Sequence, residues 1–256
     1  MEKRVIFIGA HSDDIEFQAG GTLAKYQEEG YKCIYIVVTD DCAGIVLDEN
    51  GEYRRYLLPL ESQQLRHSEA EKGAAVFGLK PVFLNFKQRF CTDKRGKRHY
   101  MGTDTYNKLS IPGSRECILV APEMSPSIKL VADIMRQEKP EAVFTHPLDI
   151  DPEHRSVCHL VYRAFKKAGL EGNSRLYAWG PSSGGEIIHI KPDLLVDISP
   201  YFKTKLEAFY CHRCQVGEKL RKVVNERAET WGEKSGVSRA EAFINILPSE
   251  ANEYTG

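Results

Sequence analysis

Four consecutive apolar residues, Val5 to Ile8, predict a strand buried on both faces, because no polar position alternates within it. The same kind of run recurs at 33–39, 82–86 and 142–145. Between these runs the apolar positions shift to helical spacing, at about 20–29, 65–77, 128–137 and 157–168. Gly30, Gly78 and Gly169 stand where three of those helices should stop. Strand and helix therefore alternate through the first two-thirds of the chain, which predicts an α/β fold. The expected form is a Rossmann-like three-layer sandwich with a mostly parallel sheet and helices on both faces. The last third is less regular, with two short strands at about 186–190 and 194–198 and long helical patterns from Tyr201 onward.

A length of 256 residues suits one large domain over 1–256, and no shift in composition marks a boundary. The stretch 87–126 has no clean period and reads as a long insertion or loop. Its cations (Lys87, Arg89, Lys94, Arg95, Lys97, Arg98 and Lys108) suit a solvated face or the approach of an acidic substrate. A formal net charge of −1 argues against a nucleic-acid partner. No apolar run reaches membrane-spanning length, and Met1 to Arg4 leads straight into the first strand, so a soluble, cytoplasmic protein without a membrane partner is expected. The seven dispersed cysteines should be reduced thiols, and Cys211-His212-Arg213-Cys214, late in a helical pattern, reads as structural or incidental.

Chemistry is expected at the carboxyl end of the first strand, where ligands of open α/β sheets bind. There Gly9-Ala10 lets the chain turn, and His11, Asp13 and Asp14 follow together; a bland reading makes either aspartate a helix N-cap. The fourth strand ends in a second polar group, His146 to Arg155. His11 and Asp14, with His154 from this second loop, would make a two-histidine, one-carboxylate metal site with a position left open for water. Asp13, adjacent in sequence but pointing elsewhere, would accept a proton from that water. His67, His99, His159 and His189 read as surface or satisfied core histidines.

Ala10-His11-Ser12-Asp13-Asp14-Ile15-Glu16, followed by Gly20-Gly21-Thr22, resembles the signature of the PIG-L/LmbE-like zinc N-deacetylases. Asp151-Pro152-Glu153-His154-Arg155 resembles that family's second metal segment. Weaker echoes are Leu65 to Ala70, Val196 to Ile198, His212 to Gln215 and Ala240 to Phe243. The resemblance implies a zinc-dependent hydrolase that removes an acyl group from a small-molecule amino-sugar conjugate. His11, Asp14 and His154 would bind Zn2+, Asp13 would be the general base, and Arg66 would contact substrate hydroxyls. Three departures stand out. Ser12 replaces a proline. Asp151 stands where the family commonly has a histidine that helps to stabilise the oxyanion, so the expectation passes to His146 as donor and to Asp151 as a group orienting a ligand histidine. Lys87-Gln88-Arg89 replace a sugar-contacting aspartate.

Three rival readings share these residues. A non-heme iron oxygenase would use the same ligand set, but the alternating order argues against the β-barrel that commonly carries it. A nucleotide-binding module fits the strand-glycine-helix opening but lacks G-x-G-x-x-G. A metal-binding sugar sensor without turnover is kept open by Asp151. A homo-oligomer is left open as well.

Overall fold

The computed structural model describes residues 2–48, 50–148, 150–180 and 191–247. An eight-stranded sheet runs in the order β11-β12-β10-β9-β1-β2-β5-β8. Its strands are β1 (Arg4–Gly9), β2 (Lys32–Thr39), β5 (Val82–Lys87), β8 (Arg115–Cys117), β9 (Ala142–Thr145), β10 (Arg175–Trp179), β11 (Leu194–Asp197) and β12 (Ala240–Asn245). All neighbours pair in parallel except β12, which runs antiparallel to both β10 and β11. Two small hairpins lie outside this sheet, β3 (Ile45–Leu47) with β4 (Tyr53–Tyr56) and β6 (Phe90–Thr92) with β7 (Arg98–Tyr100).

The alternation of side chains along each strand builds the two cores. Ile6, Ile8, Ile36 and Val38 face α4 (Ser125–Glu138) and α5 (Pro152–Ala168), through Val131, Met135, Leu160 and Phe165. Val5, Phe7, Tyr35 and Val37 face the other way. They meet Ile15, Ala19 and Leu23 of α1 (Asp14–Glu28), Ala74 of α2 (Pro59–Val76), Ala208 of α6 (Phe202–Phe209) and Ala228 of α7 (Glu218–Ser235). The three-layer α/β expectation is met.

Several boundaries differ from the sequence reading. Helix α1 begins at Asp14, six residues before the expected start, because Asp14, Glu16 and Gln18 interrupt the apolar period yet are buried. Pro59 and Pro152, each at the start of a helix, extend α2 and α5 upstream, since proline suits a first turn whose N–H is unpaired anyway. The 87–126 stretch is not a structureless loop. It holds β6, β7, the short helix α3 (Asp104–Leu109) and the edge strand β8, around a small core of Cys42, Cys91, Tyr106 and Ile111. Strands β10 and β12 were hidden from the sequence, the latter inside an apparent helical pattern. The strand expected at 186–190, like His189, lies outside the described residues. Among the described residues no helix is long and apolar enough to cross a membrane.

Gly20 and Gly21 are inside α1 and let a buried ion pair approach its backbone. Lys205 Nζ donates to Glu241 at 2.5 Å and to the Phe17 carbonyl at 2.7 Å. Glu241 in turn accepts from the amides of Gly21 (3.1 Å) and Thr22 (2.7 Å). Lys205 and Glu241 are both buried, so each charge depends on the other and on the helix backbone for solvation. A Cβ on Gly21 would lie 2.7 Å from the Ile198 side chain. Alanine is the better helix former, yet Gly21→Ala should destabilise the fold by about 1–3 kcal/mol through overpacking, read as a lower midpoint in urea unfolding. An unchanged or raised midpoint would show that Ile198 yields freely.

Candidate metal centre

Two connections at the carboxyl edge of the sheet deliver the predicted residues except Arg66, which comes from α2. Strand β1 lies between β2 and β9, with Phe7 opposite both Tyr35 and Phe144, so the loops after β1 and β9 open side by side. The first loop carries His11, and its turn is closed by the Asp14 carboxylate, which accepts from the His11 amide at 2.6 Å. The second loop leads into α5, whose first turn carries His154. That turn is capped by Asp151, whose carboxylate accepts from the amides of Glu153 (2.7 Å) and His154 (3.4 Å). His11 Nδ1 lies 3.2 Å from His154 Nε2 and 3.5 Å from Asp14 Oδ2, and His154 Nε2 is 3.6 Å from Asp14 Oδ1. One ligand atom from each of the three lies within 4.8 Å of the others.

A ring of buried partners sets how these groups are presented. Glu153, which the sequence reading passed over, lies 2.7 Å from His11 Nε2 and also accepts from Gln88 Nε2 (3.0 Å) and the Arg89 amide (2.6 Å). With Nε2 donating to Glu153, Nδ1 of His11 carries the lone pair that faces Asp14 and His154. His146 is fully buried behind Asp14. The Trp179 indole donates to its Nδ1 at 3.2 Å and the Ala10 amide donates to its Nε2 at 2.9 Å, a nitrogen that also lies 3.0 Å from Asp14 Oδ2.

His146, expected as an oxyanion donor, is placed with both ring nitrogens engaged and buried from solvent. Asp151 meets the His154 end of the helix through its backbone amides. Arg66, expected at substrate hydroxyls, lies among carboxylates of this chain. Its Nη2 is 3.0 Å from Asp13 Oδ1 and its Nη1 is 3.0 Å from Asp41 Oδ1, so both ends of the guanidinium are engaged within the protein. Arg89 sits 3.6 Å from Asp151 and 3.9 Å from Glu153, so its charge faces this chain's own carboxylates.

The electrostatics favour a cation at this point. Burial alone would raise Asp14, but the charges of His146 and His154 and hydrogen bonds from His11 and His146 hold it well below the usual carboxylate range. Burial likewise opposes ionisation of Glu153, and the hydrogen bond and charge of His11 overcome it, bringing the group to about 2. Burial pushes His11 down, yet Asp14 and Glu153 together raise it well above an ordinary imidazole. His146 goes the other way, to about 4, through burial and the neighbouring His154. Two ionised carboxylates thus draw positive charge to the space between them. Nitrogen and oxygen donors from two histidines and one aspartate fit a divalent ion such as zinc, with a coordination position to spare.

The remaining candidates take bland places. The seven cysteines are free. Cys211 and Cys214 lie in the turn after α6, where the Cys214 amide donates to Glu69 and buried His212 lies 3.2 Å from Glu16. His67 stacks on Phe83, and His99 bonds Asp93 at 3.0 Å on the β6–β7 hairpin.

A cleft of about 480 Å³ opens beside the trio, bordered by Asp13, Asp14 and His154 at one end and by Phe17, Leu47 and Leu220 further out. Among solved structures, the chain resembles GalB, the 4-carboxy-2-hydroxymuconate hydratase of Pseudomonas putida, with a TM-score of 0.69, 20% identity and 98% of each chain covered. It also resembles the N,N'-diacetylchitobiose deacetylase of Pyrococcus horikoshii, with a TM-score of 0.66, 23% identity, and 94% of this chain and 82% of that one covered. At such identities these likenesses concern the fold, and one fold carries both a hydratase and a deacetylase. In sequence, the diacetylchitobiose deacetylase of Thermococcus kodakarensis is 25% identical over 268 residues, which cover 96% of this chain and 86% of the relative. A probable N-acetyl-alpha-D-glucosaminyl L-malate deacetylase 2 of Bacillus cereus is 22% identical, with 90% and 93% covered. The family model described as PIG-L, GlcNAc-PI de-N-acetylase, matches residues 6–165, a span that holds both ends of the metal centre, and the chain belongs to that family.

Proposed function

We propose that the protein is a zinc-dependent N-deacetylase that hydrolyses the acetamide of a small amino-sugar derivative. The observation that carries this reading is the convergence of His11, Asp14 and His154 within 4.8 Å, next to Asp13, on an open cleft. The related deacetylases of T. kodakarensis and B. cereus support the choice of an N-acetylated sugar. His11, Asp14 and His154 would hold the metal. Zinc bound there would supply Lewis acidity, making water a better acid and meeting the negative charge that builds on the amide oxygen.

The chain's own groups do the rest. Asp13 accepts the proton of the attacking water and hands it to the departing amine, which must leave protonated to leave easily. Arg66 holds Asp13 in place. Glu153 and His146 orient two of the ligands, and Asp151 fixes the helix end that carries the third. The cleft lined by Phe17, Leu47 and Leu220 receives the part of the substrate beyond the amide.

The test is amine release from N,N'-diacetylchitobiose, N-acetylglucosaminyl malate and further N-acetylated sugars by metal-free and zinc-loaded protein. Asp13→Asn should lower kcat by on the order of 10²–10⁴-fold and leave the zinc content at one ion per chain. Zinc-independent release, or full activity in Asp13→Asn, would overturn the assignment. Glu153→Gln should weaken zinc binding by roughly 10- to 100-fold with the melting temperature little changed, since it removes the charge that orders His11. Competition with a chromophoric chelator reads that change, and unaltered affinity would remove Glu153 from the metal centre.

A further inference from the structure

We propose that Asp41, acting with Ser12, is a positioning residue that fixes the carboxylate of Asp13; this rests on the role assigned to Asp13 above. Asp41 is fully buried and adopts a left-handed backbone with φ of 51°. The burial is costly, because the carboxylate must be solvated by the protein, and the left-handed backbone limits the position in practice to glycine, asparagine or aspartate. Glycine would satisfy the backbone, so the carboxyl group needs its own reason to be there.

Its contacts supply one. The Ser12 hydroxyl donates to Asp41 Oδ2 in a short hydrogen bond. Arg66 Nη1 lies 3.0 Å from Asp41 Oδ1, and Arg66 Nη2 donates to Asp13 Oδ1 at 3.0 Å. Ser12 and Asp13 are neighbours in sequence, so the ring Ser12–Asp41–Arg66–Asp13 closes on itself. Two further contacts brace it. The Ser62 hydroxyl donates to the Asp41 carbonyl at 2.6 Å, and the Tyr35 hydroxyl, 2.6 Å from Glu16, also lies 3.0 Å from the Ser12 carbonyl.

The geometry answers a specific need. Arg66 projects from α2 as a long side chain, and a single salt bridge to Asp13 would leave the guanidinium free to rotate with it. A second carboxylate on the opposite nitrogen removes that freedom. Asp41 thereby holds Asp13 without touching it, and Ser12 ties Asp41 to the same turn. Placement errors of about 1 Å in a proton-transferring group can cost on the order of 100-fold in rate.

The test compares wild type, Ser12→Ala, Asp41→Asn and the double variant, each as the full zinc-loaded chain, on an N-acetylated sugar that the wild type cleaves. Asparagine also tolerates the left-handed region and keeps a hydrogen-bond acceptor, so Asp41→Asn removes charge with little change of shape. We expect kcat to fall roughly 10- to 100-fold while KM and zinc content stay within twofold. Ser12→Ala should give a smaller loss in the same direction, and the double variant should be no worse than Asp41→Asn alone, because both act through one carboxylate. A crystal structure of Asp41→Asn should show Asp13 released from Arg66. The proposal is overturned if kcat stays within twofold of wild type, if KM rises or zinc content falls in step with the loss of kcat, or if the Asp13–Arg66 contact is intact in the variant. Should Asp41→Asn fail to fold, Ser12→Ala decides by the same readings. If the wild type releases no amine from any substrate, the deacetylase reading fails, and the position of Asp13 in the variant crystal decides this proposal independently.

Discussion

Everything at the candidate metal centre depends on the pairing of β1 with β9. Those strands are far apart in sequence, yet Val5, Ile6 and Phe7 lie opposite Ala142, Val143 and Phe144. Phe7 and Phe144 stack with ring centroids 4.9 Å apart, one layer beneath the loops that carry the histidines. A register slip of one residue would put the two aromatic rings on opposite faces and separate His11 from His154. The burial of these two strands is thus a condition for the chemistry, because it sets the distance between groups contributed by two distant loops.

Above that base the polar residues form a graded system. The trio His11, Asp14 and His154 is surrounded by Glu153, His146, Gln88 and Trp179, each of which hydrogen-bonds one of the trio or a neighbour of it. On the other side of α1, Glu16 links Tyr35 to His212, and Lys205 with Glu241 reaches the helix backbone at Phe17, Gly21 and Thr22. Helix α1 is held by ionic groups over about half its length, which explains its low apolar character. Its first turn cannot shift without breaking contacts made well below the site.

The sequence was most informative where chemistry and periodicity coincide. The apolar runs of β1, β2 and β9 are each close to continuous, and strands buried on both faces leave that signature. His11, Asp14 and His154 were legible because each lies within a turn or two of such a run. Strand β12 was not legible: Glu241 is buried against Lys205, and a charged residue inside a strand erases the pattern that would announce it. The same reason delayed the start of α1. Glu153 and Asp41 escaped notice because their roles are set by partners 142 and 25 residues away, His11 and Arg66, and no local spacing records such a pairing. Arg66 and His146 drew attention from their positions along the chain, while only the fold could show that both Nη atoms of the one and both ring nitrogens of the other face partners within the protein.

The capped end of α5 has a kinetic consequence. His154 belongs to the first turn of its helix, where backbone amides have no intrahelical acceptor and fraying is easiest. Asp151 accepts from two of those amides and so holds the turn closed. His11 and Asp14, by contrast, are anchored next to a central strand and a cross-braced helix. An ion seated among the three would leave by the weakest hinge, through opening of a single helical turn. Its exchange rate with solvent would then follow the local unfolding of residues 151–154 and not the strength of the coordinating bonds alone.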